Sequence, residues 1–300
     1  METPRVLVLG YGEMGHAMEV LLGSRAQLDI WEKCPAAGFQ SSPLEEAGPD
    51  ADISLFCLPV NPHREAIEKI RPLLGTGAIC VSIAKGLDEA GQTAAQVFAD
   101  VLGKHHMYAL LYGPMISEEI RAGRYAFAQL GCLDDGIYTR VHDLFHGSGL
   151  FMERSTDITG ISWSVILKNV YAMAFGMADE LQLGDNVRGY LTVASVRELD
   201  GIVRSMGGCA GSPWELAGLG DLVTTATSED SHHHELGRRL ARGETEGIEG
   251  EGVHTLAMVE KYRLFSREAW PLFDFVHRMV RNPADLQAHF DHYLQRLYGQ

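Results

Sequence analysis

The chain has few cysteines, no excess of basic residues and no leader-like start, and each of these features excludes a class of protein. Its five cysteines are scattered over 300 residues, and no two have the CxxC spacing of a zinc or redox motif. We therefore expect free thiols in a reducing compartment and no metal site. A strand-like run begins at Arg5 without a basic or apolar leader before it, which predicts a cytoplasmic protein.

Positive charge is also scarce. Lys and Arg together number 25 against 40 Asp and Glu, which gives a net charge of −15. Such a field repels nucleic acid and anionic membranes, so neither partner is expected, and a pocket for an anionic substrate must be locally basic. The most apolar stretch, 161–178, carries Lys168 and Asn169 at its middle. This interruption favours a buried helix over membrane insertion.

Two kinds of pattern divide the chain near residue 155. Before that point, short apolar runs alternate with helical patterns, which is typical of an α/β protein with a doubly wound parallel sheet. The predicted strands are Arg5–Leu9, Gln27–Trp31, Asp52–Leu58, Ala78–Ile83, Met107–Leu111 and Tyr125–Leu130. The helices predicted between them are Glu13–Leu22, Pro62–Leu74 and Glu89–Leu102.

After residue 155 the strand pattern stops and long helical stretches follow. The predicted helices are Ser162–Leu181, Gly189–Met206, His234–Arg242, Val253–Tyr262, and about Trp270–Val280 and Ala284–Leu297. A chain of this length is too long for one ordinary core. We therefore predict an α/β domain over residues 1–155 and an all-helical domain over residues 156–300.

A glycine-rich loop follows the first predicted strand directly. Its sequence is Gly10-Tyr11-Gly12-Glu13-Met14-Gly15, a GxGxxG that also opens a helix. The first glycine permits a tight turn, the second lets the backbone approach a pyrophosphate, and the third lets the helix pack on the sheet. In this strand–loop–helix context the motif predicts a Rossmann domain, with Gly10, Gly12, Glu13, Met14 and Gly15 at the dinucleotide site.

An acidic residue ends the second predicted strand. Glu32 can accept hydrogen bonds from both hydroxyls of an adenine ribose, and it would repel a 2′-phosphate. This predicts NAD as the cofactor, with NADP less favoured. An ordinary solvated Glu-Lys turn is the alternative, and Lys33 would partly offset the acidic charge.

The lysine within the apolar stretch is a candidate catalytic group. Burial lowers the pKa of an ammonium toward neutrality, and such a lysine can exchange a proton with a ketone oxygen or a hydroxyl. Asn169 could hydrogen-bond the same substrate, and Asp221, in a Gly-Leu-Gly-Asp-Leu segment, could pair with Lys168 and orient it. The alternatives are a lysine that snorkels to the surface and an acid that caps a helix or turn.

A second lysine lies just past the carboxyl end of the fourth predicted strand. Ligands of open α/β sheets bind at that edge, so Lys85 could hold a phosphate or carbonyl oxygen. A lysine before a glycine is also a common loop residue, and that alternative stays open.

Taken in order, several segments resemble bacterial-type NAD(P)-dependent glycerol-3-phosphate dehydrogenase over roughly residues 5–260. They are GYGEMG at 10–15, IAKGLD at 83–88, YGPMISEEIRAG at 112–123, ILKNVYAMAFGMADELQLGDNVRGYL at 166–191, AGLGDLVTTATS at 217–228 and EGEGVHT at 249–255. The resemblance implies a Rossmann domain followed by a helical domain, and hydride transfer between NADH and dihydroxyacetone phosphate in glycerophospholipid metabolism. By analogy it also implies a homodimer.

Residue roles follow from the same resemblance. Lys168 matches the general acid/base and Lys85 the other active-site lysine, which also touches substrate and cofactor. Asn169, Asp221 and Thr225 match residues that line the substrate pocket. Glu251 falls in the segment that approaches the cofactor.

The chain departs from the family pattern where the substrate phosphate is bound. Family members carry an Arg-Asn-Arg segment after the GLGDL motif, whereas this chain has His232, His233 and His234. Because His232 lies in the segment where the family binds the phosphate, it is predicted to face the phosphate, with a solvated loop or a metal site as alternatives. Histidine binds phosphate more weakly than arginine does. The departure leaves open another hydroxy-phosphate, a phosphonate or a hydroxy acid as substrate, and also an NAD-binding sensor without catalysis.

Overall fold

The computed structural model describes residues 3–103, 107–228 and 231–299. The described backbone forms two compact units. The first comprises the residues up to Asp88 and Gln92–Ile158, and the second comprises Glu89–Gly91 and the residues from Thr159 onward.

A seven-stranded sheet forms the centre of the first unit. Its strands are β1 (Arg5–Leu9), β2 (Gln27–Trp31), β3 (Ile53–Phe56), β4 (Ile79–Ser82), β5 (Met107–Tyr112), β6 (Ala126–Gly131) and β7 (Leu150–Ser155). Their order is β2-β1-β3-β4-β5-β6-β7, and neighbours are parallel except β5 and β6. The order reverses beside β1, which creates the crevice where such sheets bind ligands. The predicted fold class is confirmed.

Six α-helices accompany the sheet within the described residues of this unit. They are α1 (Glu13–Leu22), α2 (Leu44–Ala47), α3 (His63–Ile70), α4 (Ala94–Leu102), α5 (Ser117–Arg121) and α6 (Asp135–Phe145). The helix predicted from Glu89 begins only at Ala94, because Thr93 and Gln96 form a capping box that fixes its first turn. The strand β7 and the helices α2, α5 and α6 were not predicted.

The described residues of the second unit form helices and turns. The helices are α7 (Ile158–Glu180), α8 (Asp185–Ser205), α9 (Asp221–Thr227), α10 (His232–Ala241), α11 (Glu251–Tyr262), α12 (Pro271–Arg281) and α13 (Leu286–Tyr298). The helix α7 is long and apolar enough to cross a membrane by length and composition alone, but 89% of its most apolar window is buried inside the protein. It is therefore the central helix of this unit, and other helices cover it.

Two glycines set the distance between α7 and α10. A Cβ on Gly176 would lie 1.9 Å from the carbonyl oxygen of His234, and a Cβ on Gly237 would lie 2.1 Å from that of Met173. The two backbones are therefore in direct contact, and any larger residue at the crossing would push the helices apart. The first turn of α10 contains the three histidines, so this crossing fixes their position relative to α7.

We expect Gly176→Ala to destabilise the protein by about 1–3 kcal/mol through overpacking, with the loss measured by urea unfolding. Gly189→Ala is the matched control, since a Cβ on that exposed glycine of α8 meets nothing within 4 Å. The control should gain about 0.5–1 kcal/mol from the better helix propensity of alanine. Equal effects of the two substitutions would contradict the close crossing.

A buried glutamate connects three helices of the same unit. Glu198 of α8 accepts hydrogen bonds from the backbone N–H groups of Leu272 (2.7 Å) and Phe273 (2.9 Å), at the start of α12. The hydroxyl of Tyr171 on α7 donates to the same carboxyl group at 3.0 Å. Burial outweighs these three bonds and raises the pKa of Glu198 to about 7.

Because its pKa is higher in the folded protein than in the unfolded chain, Glu198 should lower stability as the pH rises from about 4.5 to 7 and above. The contribution amounts to about 3 kcal/mol at most. Urea unfolding at pH 5 and pH 8 measures it: Glu198→Gln should lack this part of the pH dependence. The exposed Glu246→Gln should keep it, and identical pH profiles for all three proteins would contradict the account.

Candidate active site

The glycine-rich loop has the backbone geometry that a dinucleotide requires. Gly10 has a φ of +95°, and a Cβ there would lie 2.8 Å from the carbonyl oxygen of Cys57 at the end of β3. A Cβ on Gly15 would lie 2.3 Å from the carbonyl oxygen of Gly10, whereas one on Gly12 meets no described atom within 4 Å. The outer glycines are therefore needed for packing, and the middle one faces open space where a pyrophosphate fits against the N-terminus of α1.

The two residues between the second and third glycines have side chains directed elsewhere. The Glu13 carboxylate pairs with Arg121 at 3.0 Å, and Met14 packs against the core of the sheet. Both lie in the first turn of α1, where backbone N–H groups have no partner within the helix. Their contribution to an anion site would therefore come from the backbone.

Glu32 lies beside this loop at the carboxyl end of β2. Its Oε2 accepts from the backbone N–H of Tyr11 at 2.8 Å, and its Oε1 accepts from that of Cys34 at 3.0 Å. These bonds, the Tyr11 bond first, lower the pKa of Glu32, so the carboxylate is charged at neutral pH. Lys33 pairs with Glu65 at 3.1 Å and so has an acidic partner other than Glu32.

Lys85 follows β4 in the same unit. Its Nζ donates to the carbonyl oxygen of Gly113 at 3.0 Å, in the loop after β5. Gly113 has a φ of +154°, and a Cβ there would lie 2.6 Å from the carbonyl oxygen of Phe127. Glycine is therefore required at the position that receives the Lys85 ammonium.

The second unit brings together the lysine and the acid singled out in the sequence. Lys168 of α7 lies with its Nζ 3.3 Å from Oδ2 of Asp221, and it donates a short hydrogen bond to the hydroxyl of Thr225. Asp221 and Thr225 are one turn apart on α9. The predicted pairing of Lys168 with Asp221 is thus present.

A glycine-dependent turn delivers Asp221 to this position. The residues Leu216–Gly220 form a π-helical turn that runs directly into α9. A Cβ on Gly218 would lie 2.1 Å from the carbonyl oxygen of Pro213, so the turn closes only with glycine. Turns of this type recur at functional sites in other proteins.

The Lys168–Asp221 pair is almost completely buried. The exposed fractions of the two residues are 5% and 2%, and that of Thr225 is 8%. A buried charge is costly unless it is paired and hydrogen-bonded, so each ion depends on the other. The arrangement holds a proton donor at a fixed point in an apolar helix bundle.

Asn169, the next residue on α7, points to a different segment. Its Nδ2 donates to Oε2 of Glu251 at 3.4 Å, at the beginning of α11. A Cβ on Gly252 would lie 2.8 Å from the carbonyl oxygen of Asn169, so the chain packs closely there. The predicted substrate residue Asn169 and the predicted cofactor residue Glu251 are therefore neighbours.

The three histidines contact two different parts of the helical unit. Nε2 of His232 contacts the carbonyl oxygen of Glu249 at 2.8 Å, and Nε2 of His233 accepts from the backbone N–H of Gly252 at 3.2 Å. His234 is buried and contacts Oδ2 of Asp179 at 2.7 Å. Within the described ranges, no three His, Cys, Asp or Glu side chains are grouped to hold a metal ion.

These contacts give the histidines a structural task that sequence reasoning missed. His232 and His233 fasten the segment that carries Glu251, and His234 fastens α10 to the end of α7. Arg188 of α8 pairs with the same Asp179, which completes the attachment. The sequence signal that could have predicted the attachment of α10 to α7 is the pair of glycines at their crossing, because small residues on two helices permit close packing.

A dinucleotide-binding α/β unit and a helical unit with a buried lysine–aspartate pair define a two-domain NAD(P)-dependent dehydrogenase class. Sequence comparison specifies the family. The family described as NAD-dependent glycerol-3-phosphate dehydrogenase matches with its N-terminal part over residues 33–137 and with its C-terminal part over residues 157–291. The chain belongs to this family, and the resemblance stated from the sequence is confirmed.

Individual relatives support the assignment. The chain is 30% identical to a glycerol-3-phosphate dehydrogenase (NAD(P)+) of Methylobacillus flagellatus, over 86% of this chain and 87% of the relative. A namesake from Nitratidesulfovibrio vulgaris Hildenborough is also 30% identical, over 94% and 96%. The crystal structure of glycerol-3-phosphate dehydrogenase from Coxiella burnetii has the same fold, with a TM-score of 0.85, 23% identity and coverage of 98% and 99%.

Proposed function

We propose that the chain catalyses the NAD-dependent interconversion of sn-glycerol 3-phosphate and dihydroxyacetone phosphate, with Lys168 as the general acid/base. The observation that carries this proposal is the buried contact of Lys168 with Asp221 and Thr225 in a chain of this family. We assign dinucleotide binding to the first domain, predicted as residues 1–155, and substrate binding to the helical domain, predicted as residues 156–300.

Reduction of a ketone needs a hydride on carbon and a proton on oxygen. NADH supplies the hydride when bound at the glycine-rich loop. Lys168 donates the proton from Nζ to the carbonyl oxygen, and Asp221 stabilises the ammonium before that step. In the reverse direction Lys168 takes the proton of the hydroxyl.

The remaining residues bind and orient the reactants. Thr225 holds the Lys168 ammonium in place, and Asn169 hydrogen-bonds the substrate. Lys85 binds the substrate oxygen or phosphate and faces the cofactor, and Glu251 approaches the cofactor. Nε2 of His232 donates to the carbonyl oxygen of Glu249, so His232 donates from Nδ1 to the phosphate as an imidazolium.

The test is the loss of NADH absorbance with dihydroxyacetone phosphate at neutral pH. Wild type should turn over, and Lys168→Ala should lose at least about 10²-fold in kcat, the usual contribution of a positioned acid/base. NADH binding, followed by fluorescence, should remain. Lys69→Ala removes an exposed lysine and should behave as wild type. Full turnover by Lys168→Ala would refute the mechanism.

Cofactor preference gives a separate prediction. The charged Glu32 should repel the 2′-phosphate of NADPH, so wild type should favour NADH. Glu32→Gln should shift the ratio of kcat/KM values toward NADPH by about tenfold, which corresponds to about 1.4 kcal/mol of lost repulsion. Glu45→Gln, a neutralisation at an exposed site on α2, is the control. An unchanged ratio in Glu32→Gln would show that Glu32 does not discriminate.

A second candidate substrate follows from the histidines. The contacts of His232 and His233 with the 249–252 segment favour a weaker phosphate grip than a pair of arginines would give. Another hydroxy-phosphate, a phosphonate or a hydroxy acid is then the alternative. It would be recognised by higher kcat/KM than dihydroxyacetone phosphate in a substrate panel.

The cellular compartment and the oligomeric state are proposed on other grounds. The five cysteines are free thiols, which supports a reducing compartment such as the cytoplasm. A homodimer is proposed from the family resemblance alone.

A further inference from the structure

A buried histidine and a buried serine form a hydrogen-bonded chain beneath the loop that follows β4 and carries Lys85, which we call the Lys85 loop. Nδ1 of His63, at the start of α3, lies 2.8 Å from the carbonyl oxygen of Pro59. Its Nε2 lies 2.8 Å from Oγ of Ser82, the last residue of β4. The Ser82 Oγ in turn accepts from the backbone N–H of Ala84 at 3.1 Å.

The two ends of this chain determine the direction of every bond. A carbonyl oxygen only accepts, so His63 carries its proton on Nδ1 and donates to Pro59. Nε2 is then an acceptor, and the Ser82 hydroxyl donates to it. The same hydroxyl oxygen is left to receive the Ala84 N–H, so each donor in the chain has one compatible acceptor.

The surroundings keep the histidine neutral. His63 and Ser82 are both fully buried, and the rings of Phe56 and Phe98 lie 5.3 and 5.9 Å from the imidazole. Burial lowers the pKa of His63 to about 4, with the Pro59 bond opposing the shift. The donor and acceptor pattern is therefore constant across the neutral range.

The chain ends at the residue before Lys85. The Ala84 N–H donates to Ser82 Oγ, and the Lys85 ammonium donates to the carbonyl oxygen of Gly113. The backbone just before this lysine and the side chain of the lysine are thus held by separate hydrogen bonds. The His63 contact also joins the loop after β3 to the loop after β4, at the ligand-binding edge of the sheet.

We propose that His63 and Ser82 are positioning residues that hold the Lys85 loop in its working conformation, an inference that rests on the proposed role of Lys85. They act through the Ala84 backbone and do not touch the reactants. The neighbouring strand offers a contrast: Ser54 of β3 is equally buried, yet its hydroxyl has no hydrogen-bond partner within the described residues. Burial of a serine in this sheet therefore does not by itself create such a chain.

Four variants test the proposal. Ser82→Ala breaks the chain at its centre, and His63→Asn keeps a donor for Pro59 but has no group at the Nε2 position. His63→Gln restores an acceptor at that position, and Ser54→Ala removes an unpartnered hydroxyl as the matched control. Ser82→Ala and His63→Asn should lower kcat/KM by about ten- to a hundredfold, the loss expected when a catalytic group moves by about 1 Å. His63→Gln should recover most of the activity, and Ser54→Ala should match wild type.

A double-mutant cycle separates positioning from general stability. In a Lys85→Ala background, Ser82→Ala should cause no further loss of the residual activity, because both act through one group. Independent, multiplicative losses would overturn the proposal. So would equal losses in His63→Asn and His63→Gln when both are folded, since a structural role does not distinguish them.

A readout without turnover keeps this test independent of the proposed function. The rate of amine labelling at Lys85, relative to Lys69 in the same protein, is measured by mass spectrometry. It should change in Ser82→Ala and His63→Asn but not in His63→Gln or Ser54→Ala. Labelling that is unchanged in every variant would refute positioning of Lys85. A wild type that fails to oxidise NADH, while labelling changes as expected, would refute only the proposed reaction.

Discussion

The burial of the Lys168 ammonium is the constraint on which the helical domain depends. Taking an ammonium out of water costs several kcal/mol, and only a close counter-ion and hydrogen bonds offset that cost. Asp221 and Thr225 supply both, and they do so from one helix that begins directly after a π-helical turn. The turn needs glycine at position 218, so a residue without a side chain decides where the charge partner lies. The same reasoning extends to α10, whose crossing with α7 needs glycine on both helices.

The first domain uses a different physical device. It has open space at Gly12, beside the N-terminus of α1, which favours an anion, and a charged Glu32 next to the loop, to which we assign sugar recognition as a proposal. Beneath the next loops, the chain from Pro59 through His63 and Ser82 to Ala84 fixes the backbone by directional hydrogen bonds. A fixed backbone at the sheet edge and a fixed charge in the helical domain are two forms of preorganisation, and preorganisation of this kind lowers catalytic barriers.

Sequence patterns predicted the parts of the structure whose physical cause is local. The strand β1 has the predicted bounds because a buried parallel strand is an apolar run, and the helix α1 has them because the GxGxxG motif marks a helix start. The strand β2 also has the predicted bounds, although its residues are only partly buried or exposed. Lys168 was recognisable because a charge interrupts an apolar stretch. The strand β7 was missed because its apolar run is only three residues long, 150–152, and charged residues follow it directly. His63, Ser82 and Glu198 gave no signal. Apart from Ala84, two positions after Ser82, their partners lie 4 to 75 positions away, and only the fold brings them together.

The most direct test of the central claim is chemical rescue of Lys168→Ala by small primary amines. In the proposed mechanism the lysine amine is the proton donor, and its removal leaves a space about the size of an alkylamine in a rigid, buried setting. Turnover of dihydroxyacetone phosphate with NADH should then rise with ethylamine concentration in the folded variant, and trimethylamine, which is bulkier, should restore less. A folded, NADH-binding Lys168→Ala protein that no amine reactivates would contradict the assignment of Lys168 as the acid/base.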